Sequence, residues 1–440
     1  MLLSALDLIQ QVRIAAGSFP DTRSETNTRY SMEDVVLGAF SVFLTQSSSF
    51  LSFQRGMQEQ TGRNNGASLF TMQSLPSDDQ IRRTLDCVPP EQLFPVFTTC
   101  FDELVSSGNI REFKSELGYL IALDGTQYFS SGSIHCKNCL TKTDKKTREI
   151  TYYHTAITPV LVKPGSEHVL SLVPEYIIPQ DGSVKQDCEI KASKRLLVSH
   201  KGQLLKDMEV TYLGDDLYAH EPFCRDVLDC GHSFIFTCKP DSHKTLYGWI
   251  KGITQQYVQD RFDGKKHRLF TYAYAKGVPL RDGKDSLLVN FVELTVSDRQ
   301  SGKQLYHNAF ITNHPVTQET LPLLVDCGRA RWKIENENNN TLKTKGYYFE
   351  HNYGHGENNL SMVLTTLILL AFLFHTLFSL FWQPYIHILA RIKRQRLFES
   401  IRVLSQYFFS PTWEHLFAGM EYALDHVVAL PVPFTMLPAG

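Results

Sequence analysis

The spacing of apolar residues in the first part of the chain predicts α-helices. Apolar positions recur at intervals of about three to four residues, which is the period of an amphipathic helix. Ser31 precedes the run MEDVVLGAFSVFL and has Asp34 at the capping-box position, so a helix is expected to begin there. Ser77 stands in the same relation to DDQIRRTLDCV, which two prolines follow. We therefore predict a helical domain over residues 1–112.

The pattern then changes to alternating residues with many β-branched side chains, which is typical of strands. Three strands, a helix, a strand, a helix and a strand follow one another, and this is the order of an RNase H-like core. We therefore predict an α/β fold with an RNase H-like mixed sheet, whose first part covers residues 113–239. The predicted elements lie, in order, at 117–123, 150–162, 169–178, 185–198, 210–213, 222–230 and 234–238.

Residues 240–326 are again rich in strand-like runs, which we interpret as a β-rich insertion in the core. The segment 327–400 then returns to the core with a helix over 329–345 and an apolar helix over 360–390, and 401–440 form a C-terminal tail. The runs of the insertion are YGWIKGI, HRLFTYAYAKGV, SLLVNFVELTVSD and KQLYHNAFITN, separated by turn signals at Asp263-Gly264, Asp282-Gly283 and Ser301-Gly302.

Three acidic residues stand at the edges of predicted rigid elements. Asp124 follows the apolar run YLIAL, Asp215 follows VTYLG, and Glu335 lies in the helical segment RARWKIENENNNTLK. Two Mg²⁺ ions a few Å apart can activate an attacking oxygen and stabilise a leaving oxygen at a phosphodiester. Because Mg²⁺ prefers hard oxygen ligands, a few carboxylates suffice to hold it. Each acid alone would be interpreted as a solvated or capping carboxylate, but the three together predict a two-metal site.

With these residues in place, the chain resembles the DDE transposases of bacterial insertion sequences, in the branch with a β-strand insertion before the final Glu. The likeness covers about residues 115–375 and rests on the segments LDGTQYFSS, YLGDDLYAHEP and RWKIENENNNTLK. It implies that Asp124, Asp215 and Glu335 are the catalytic residues and the ligands of two Mg²⁺ ions, for which Mn²⁺ can substitute. The same likeness implies that the substrate is double-stranded DNA, both at the ends of the mobile element and at the target.

The resemblance also implies that Arg331 and Lys343 contact DNA near the transferred end. The chain departs from the related motif at two points, however. Gly328 stands three residues before the Arg, where the family has a Tyr, and the spacing from Glu335 to Lys343 is one residue longer. The role of Lys343 therefore stays open.

Two of the acids have acidic neighbours that are alternative ligands. In a helix, Arg331 lies about 40° and Lys343 about 80° round from Glu335, whereas Glu337 lies about 160° round and points away. Glu335 is therefore the better candidate. Strand alternation and the family likeness favour Asp215 over the adjacent Asp216, and this choice is left open.

Charge and composition limit the DNA-binding surface and the compartment. The chain of 440 residues has a net charge of −2, so any affinity for DNA must come from local patches. Arg82 and Arg83 lie on a short helix that suits DNA contact, although a helical packing domain with a solvated charge pair is the alternative. The 9 cysteines do not form a disulfide framework and no signal peptide begins at Met1, so we expect a bacterial cytoplasmic, nucleoid-associated protein.

A Cys-x-x-Cys motif with a later histidine indicates a possible second metal site. Cys136, Cys139 and His154 suit tetrahedral zinc, and His135 is a candidate fourth ligand, although adjacent residues of an extended chain point in opposite directions. Reduced cysteines that pack in the core are the alternative interpretation. The two histidines of FEHNYGHGENN are interpreted as part of a turn near the DNA path.

The apolar segment after residue 358 allows two interpretations. The segment from Asn358 to Ala390 contains no Asp, Glu, Lys or Arg and is long enough to span a bilayer. The basic run RIKRQR follows it. His375 in mid-segment and the lack of a second span favour instead a helix buried against a sheet.

Taken together, the sequence predicts a DNA transposase that cuts and joins the ends of a mobile element. Binding of those ends is expected from the helical domain of residues 1–112. We expect a homodimer in the synaptic complex and no membrane partner. The alternatives are a catalytically inactive, transposase-derived DNA-binding protein and a membrane-attached protein that uses the 360–390 segment.

Overall fold

The protein contains both helices and strands, and the strands form two sheets in the central part of the chain. The mixed α/β architecture agrees with the prediction, and it comprises one ten-stranded mixed sheet and one four-stranded sheet. The computed structural model describes residues 4–23, 28–179, 187–200, 205, 208–262 and 265–425.

The N-terminal part is helical, in agreement with its apolar spacing. Ser31 and Ser77 are N-caps, because each side-chain oxygen accepts a hydrogen bond from the backbone N–H three residues on. Asp34 has another role than the expected capping box. Its buried carboxylate accepts hydrogen bonds from the N–H groups of Gln73 and Ser74, at 2.9 Å each, and so fixes the turn there. The helices are α1 (Ala5–Gly17), α2 (Met32–Leu44), α3 (Phe50–Met57), α4 (Gln60–Phe70), α5 (Asp78–Leu85) and α6 (Phe94–Ser106).

The middle of the chain supplies all the described strands. Three helices connect them: α7 (Glu189–Ser199), α8 (Glu221–Asp229) and α9 (Lys244–Ile250). The strands are β1 (Lys114–Ser115), β2 (Gly118–Ala122), β3 (Gly125–Ser131), β4 (Leu140–Thr143), β5 (Ile150–Ile157), β6 (Val160–Val162), β7 (Leu170–Ser171), β8 (Glu175–Ile177), β9 (Val210–Gly214), β10 (Ser233–Thr237), β11 (Gln255–Phe262), β12 (His267–Pro279), β13 (Leu288–Asp298) and β14 (Gln304–Thr312).

The ten-stranded sheet has the order β11-β12-β13-β14-β10-β9-β2-β6-β7, and β1 pairs with β2. The pairs β2–β9 and β9–β10 are parallel, and the other described pairs are antiparallel. The four-stranded sheet has the order β3-β5-β4, with β8 on β5. Every residue of β2 and β9 is buried, as expected for strands covered on both faces.

Two of the predicted strands are in fact pairs of strands that belong to different sheets. The run 150–162 is divided into β5 and β6 around Pro159, and the run 169–178 into β7 and β8 around Pro174. Proline has no N–H for a strand ladder, which explains why each run leaves one sheet at that point. The helix predicted over 185–198 corresponds to α7, and its first residues lie outside the described part of the chain.

The region expected as an insertion does not form a separate sheet. Its strands β11 to β14 extend the main sheet, because β14 pairs with β10. The run YGWIKGI was predicted as a strand, and this is wrong: it is helical up to Ile250, with Leu246 fully buried and the Tyr247 ring 5.4 Å from that of Phe291. The following β11 was not predicted. Of the three turn signals, Asp263-Gly264 lies outside the described residues.

The helix predicted over 329–345 is broken into several pieces. The helix α10 (Leu321–Arg329) ends where the predicted helix was expected to begin. A π-helical segment (Ile334–Asn339) and then α11 (Asn340–Thr344) follow it. Gly328 explains how α10 lies so close to the sheet, because a Cβ there would come within 2.8 Å of Phe310 and 3.0 Å of Ile235.

The apolar segment forms α12 (Leu360–Phe381), and 89% of its most apolar 18-residue window is buried inside the protein. The Phe374 ring packs edge-on to Phe40 of α2 at 5.2 Å. His375 is buried, and its ring nitrogens lie 2.8 Å from the Tyr347 hydroxyl and 2.9 Å from the Leu44 carbonyl. By length and composition this helix could cross a membrane, but its packing is that of a core helix.

The described part of the predicted C-terminal tail, residues 401–425, is largely helical and packs against the N-terminal helices. Asn65 donates hydrogen bonds of 2.8 Å to the carbonyls of Ser405 and Phe408. The indole of Trp413 donates to the Leu69 carbonyl at 2.8 Å. The two ends of the chain therefore share one core. The last helices are α13 (Gln383–Leu389), α14 (Arg394–Tyr407) and α15 (Trp413–Asp425).

Candidate active site

Two parallel strands bring Asp124 and Asp215 to the same edge of the main sheet. Ala122, at the end of β2, is in register with Leu213 of β9, and the Leu123 N–H donates to the Leu213 carbonyl at 2.9 Å. Both aspartates follow directly after these strands. The carboxyl ends of parallel strands are where α/β sheets commonly bind ligands.

The π-helical segment is attached to the first aspartate. The amide of Asn339 donates a hydrogen bond of 3.0 Å to the Asp124 carboxylate. On the same segment, Glu335 forms an ion pair of 2.8 Å with the buried guanidinium of Arg331. Glu337 instead pairs with Lys333 at 3.7 Å and so points in another direction, as helical geometry predicts.

The charges that act on Asp124 show that the acids are gathered around it. Burial, followed by the negative charge of Glu189, raises the pKa of Asp124 to about 7. The charges of Glu335 and Asp215 raise it further, and only the Arg331 charge among these neighbours lowers it. A half-neutral acid at neutral pH, surrounded by three others, is a site that a cation would stabilise.

The sequence interpretation missed Glu189. This residue opens α7, and its Oε1 accepts hydrogen bonds from the Gly125 N–H at 3.1 Å and from the Tyr218 hydroxyl at 2.7 Å. Burial raises the pKa of Glu189, and the charge of Asp215 adds to this effect. An acidic residue in the first turn of a helix is common for dipole reasons alone, so the sequence carried no distinguishing signal.

The environments of Asp215 and Asp216 differ. The Asp216 carboxylate accepts hydrogen bonds from the Lys239 N–H at 2.6 Å and from the Ser242 hydroxyl, so it holds the loop after β10. One oxygen of Asp215 accepts from the Leu217 N–H at 2.9 Å. The charge of Asp215 is among the larger effects that raise the pKa of Asp124. This geometry favours Asp215 as the second acid.

The predicted DNA-contact residues differ in burial and in the contacts they make within the protein. Arg331 is buried and stacks over Trp332 at 5.0 Å, and Lys343 pairs with Glu350 at 2.8 Å. Arg82 donates to the Tyr353 carbonyl at 2.8 Å and therefore helps to pack α5, whereas Arg83 is exposed.

Lys343 also lines a basic cavity of about 510 Å³ beside the π-helical segment. Lys345 and Lys393, both exposed, lie at the same cavity. Arg402 lines it too, and its guanidinium donates to the carbonyl of Thr45 at 3.0 Å. The chain therefore has a local concentration of positive charge despite its net charge of −2.

A second cluster contains the predicted Cys136, Cys139 and His154, and its fourth member is His355. The ligand atoms of these four residues all lie within 4.8 Å of one another. The two Sγ atoms are 3.9 Å apart, and His154 Nε2 lies 3.3 Å from Cys136 Sγ and 3.4 Å from Cys139 Sγ. His355 Nε2 lies 3.4 Å from Cys139 Sγ. Four such atoms could hold a metal ion.

The prediction of His135 as fourth ligand is wrong. Its ring is exposed and stacks on Tyr152 at 4.4 Å, directed away from the cysteines. His355 was interpreted as a turn residue near DNA, and the turn is real: Gly354 and Gly356 on either side have φ of 151° and 70°. Cys139 and His355 are separated by 216 residues in sequence, so a motif based on residue spacing could not identify His355 as a ligand.

The surroundings of the cluster are apolar. The hydrogen bond between its two thiols favours the thiolate of Cys136 and raises the pKa of Cys139. His154 stacks on Tyr128 at 5.5 Å, and the His355 ring lies 4.1 Å from that of Phe129. Hydrogen bonds from Cys139, and then from the two histidines, lower the pKa of the Cys136 thiol. A thiolate is the form that binds metal.

Comparison with known proteins adds no family assignment. No family model matches the chain, and no curated protein matches it.

Proposed function

We propose that this protein is a DDE-type DNA transposase, which cuts and joins the ends of a mobile element. The observation that carries this proposal is the meeting of three distant acids at one sheet edge. Asp124 and Asp215 follow adjacent parallel strands, and Glu335 belongs to the segment that Asn339 ties to Asp124. This arrangement meets the requirement for carboxylate ligands from separate rigid elements.

The strand order supports an RNase H-like core as part of this proposal. The strands β7-β6-β2-β9-β10 form antiparallel pairs up to β2 and parallel pairs beyond it. Helix α7 precedes β9 and α8 connects β9 to β10. In this interpretation β14 to β11 are the insertion, added to the sheet beyond β10.

The proposed chemistry divides between the metal ions and the chain. Mg²⁺ ions held by the carboxylates would activate the attacking oxygen and stabilise the leaving oxygen of the phosphodiester. The chain positions the acids: Asn339 holds one oxygen of Asp124, and Arg331 holds one oxygen of Glu335. The burial of Asp124 keeps its ionisation, and therefore its affinity for a cation, sensitive to pH near 7.

The two departures from the family motif have structural counterparts. A π turn contains one residue more than an α turn, so the segment Ile334–Asn339 accommodates the longer spacing from Glu335 to Lys343. Gly328 packs against the sheet, and a Tyr at this position would collide with Phe310. These points are consistent with a variant of the motif.

The basic cavity lined by Lys343 supplies the local positive charge that DNA binding requires. Lys345 and Lys393 line it too, so phosphate groups of a DNA end could be bound there. We include double-stranded DNA as the partner and a homodimer as the active form of the synaptic complex in this proposal.

DNA cleavage tests the proposal. Purified protein, Glu335→Gln and the matched control Glu337→Gln are incubated with DNA that carries the sequences flanking the gene, in Mg²⁺, Mn²⁺ or EDTA. We expect metal-dependent cleavage at the element boundary for the wild type and the control. Loss of a carboxylate ligand should lower the rate of Glu335→Gln by roughly a hundredfold or more while DNA binding stays near normal.

Specific DNA binding by the wild type without cleavage in either metal would favour the inactive, DNA-binding alternative. Equal cleavage by the wild type and Glu335→Gln would contradict the assignment of the acids.

We also propose that the cluster of Cys136, Cys139, His154 and His355 binds one structural Zn²⁺. Tetrahedral zinc, with Zn–S of about 2.3 Å and Zn–N of about 2.0 Å, separates its ligand atoms by roughly 3.3–3.8 Å. Four of the six pairs of ligand atoms are separated by 3.3 to 3.9 Å, close to this geometry, and all the pairs lie within 4.8 Å. With four protein ligands, the site would have no open position for a substrate, which is typical of a structural role.

A further inference from the structure

We propose that Glu189 is a fourth acidic residue of the carboxylate site and takes part in holding a divalent cation there. This inference rests on the proposed function, since it concerns the same site, but the sequence motif that suggested the function does not include Glu189. The inference rests on the position of the Glu189 carboxylate, which lies against Gly125, the residue that follows Asp124.

Glycines on both strands make room for this carboxylate. A Cβ on Gly125, directly after Asp124, would lie 2.6 Å from Glu189 Oε2. A Cβ on Gly214, directly before Asp215, would lie 2.8 Å from Tyr218, whose hydroxyl holds Glu189. Any other residue at either position would displace the Glu189–Tyr218 pair. The pair is therefore built into the same strand ends as the two aspartates.

The contacts of Glu189 position one oxygen and leave the other available. Oε1 accepts from the Gly125 N–H and the Tyr218 hydroxyl, and no hydrogen bond within the described part of the chain engages Oε2. Tyr218 is fully buried, and its hydroxyl lies 3.1 Å from that of Ser193, so its orientation is fixed. An oxygen held in this way, next to a free one, suits a metal ligand whose orientation is set in advance.

Helix capping does not account for these contacts. Cys188 is the N-cap of α7 and makes no side-chain cap hydrogen bond. The Glu189 carboxylate is directed to the backbone of a strand and to a tyrosine, and not to the N–H groups of its own helix. A capping acid would satisfy the first turn of the helix instead.

The balance of charge at the site also points to a cation. Glu189, Asp215 and Glu335 all act on Asp124 as negative charges. Arg331 is the one positive charge in that set, and it is already paired with Glu335. Buried or half-buried carboxylates in excess of their cations are stabilised by metal ions.

Glu189→Gln tests this inference. The amide oxygen can still accept from Gly125 and Tyr218, so the fold should be kept while the charge is lost. We expect the Kd for Mn²⁺, measured by isothermal titration calorimetry on the full-length protein, to rise about tenfold or more. The Mn²⁺ concentration for half-maximal DNA cleavage should rise in parallel. The thermal unfolding midpoint should be no lower than that of the wild type, because the substitution removes a negative charge that burial destabilises. Glu337→Gln, an acid that pairs outward with Lys333, is the matched control.

Tyr218→Phe provides a second variant in case Glu189→Gln fails to fold. It keeps the ring and removes the hydroxyl that positions Glu189, so we expect the Mn²⁺ requirement to rise in the same direction.

The possible outcomes separate the two proposals. If the wild type binds Mn²⁺ and cleaves DNA, and Glu189→Gln does both with unchanged metal dependence, the role of Glu189 is refuted and the transposase proposal stands. If the wild type neither binds Mn²⁺ nor cleaves DNA, the proposed function itself fails, and the role of Glu189 fails with it.

Discussion

At the scale of single residues, the central feature is the altered acidity of Asp124. Its pKa of about 7, against an ordinary 3.8, results first from burial and then from the neighbouring charge of Glu189. The folded protein therefore binds this proton more tightly than the unfolded chain does. The resulting contribution to stability is complete below the unfolded pKa and is lost as the pH rises toward the folded pKa.

This direction of the pH dependence leads to a prediction for Asp124→Asn, in which the neutral amide replaces the protonated acid. In buffer without added divalent cations, the variant should be more stable than the wild type at pH 8. The advantage should be on the order of 1–2 kcal/mol larger at pH 8 than at pH 5.5, after allowance for solvent screening. Urea unfolding of both proteins at the two pH values measures this difference. A variant that is less stable at both values, or a difference independent of pH, would contradict the electrostatic account.

Single residues also show what the sequence could not predict. Asp124, Asp215 and Glu335 were recognisable because each ends or opens an apolar or basic run. Glu189 had no such signal, because its partners Gly125 and Tyr218 are distant in sequence. Its role depends on three segments meeting in space.

At the scale of elements, local patterns predicted the central strands of the main sheet and about half of the helices, but not which strands pair. The run 150–162 has uniform strand character, yet its two halves join different sheets on either side of Pro159. The run YGWIKGI contains aromatic and β-branched residues, but its first part is helical, which buries Ile250 and packs Tyr247 against Phe291. Tertiary packing outweighed propensity in both cases.

The cluster of Cys136, Cys139, His154 and His355 connects elements that are far apart in the chain. Its cysteines follow β3, His154 lies in β5, and His355 lies in the turn before α12. The backbone of this turn is also held by Asp86, whose carboxylate accepts hydrogen bonds from the N–H groups of residues 357 to 360. These hydrogen bonds lower the pKa of Asp86 against the opposing effect of burial. A bound metal would therefore fasten the start of α12 to the smaller sheet.

Native mass spectrometry tests the zinc proposal at this scale. We expect one Zn²⁺ per chain in the wild type, and its loss in Cys136→Ser and in His355→Ala. His135→Ala and His351→Ala are matched controls that should keep the metal, because neither residue belongs to the cluster. An intact wild-type protein without metal would refute the proposal. Loss of zinc in His135→Ala but not in His355→Ala would show that the fourth ligand is misassigned.

At the scale of the whole molecule, the two ends of the chain close around α12. The N-terminal helices, expected as a separate DNA-binding domain, share their core with the C-terminal helices through contacts such as Phe40 with Phe374 and Asn65 with Ser405. Arg82 is engaged in this packing. The basic cavity near Lys343 is consequently a better candidate for contact with DNA than the helix that carries Arg82 and Arg83.

The whole account depends on whether the sheet edge at Asp124 binds divalent cations. Anomalous diffraction from crystals soaked in Mn²⁺ tests this most directly, and the cysteine–histidine cluster in the same crystals provides an internal reference. We predict Mn²⁺ density at coordination distance from Asp124 and Asp215, reduced or absent in Glu335→Gln. Crystals with saturating Mn²⁺ but no anomalous density at these carboxylates would contradict the two-metal site, and with it the proposed function.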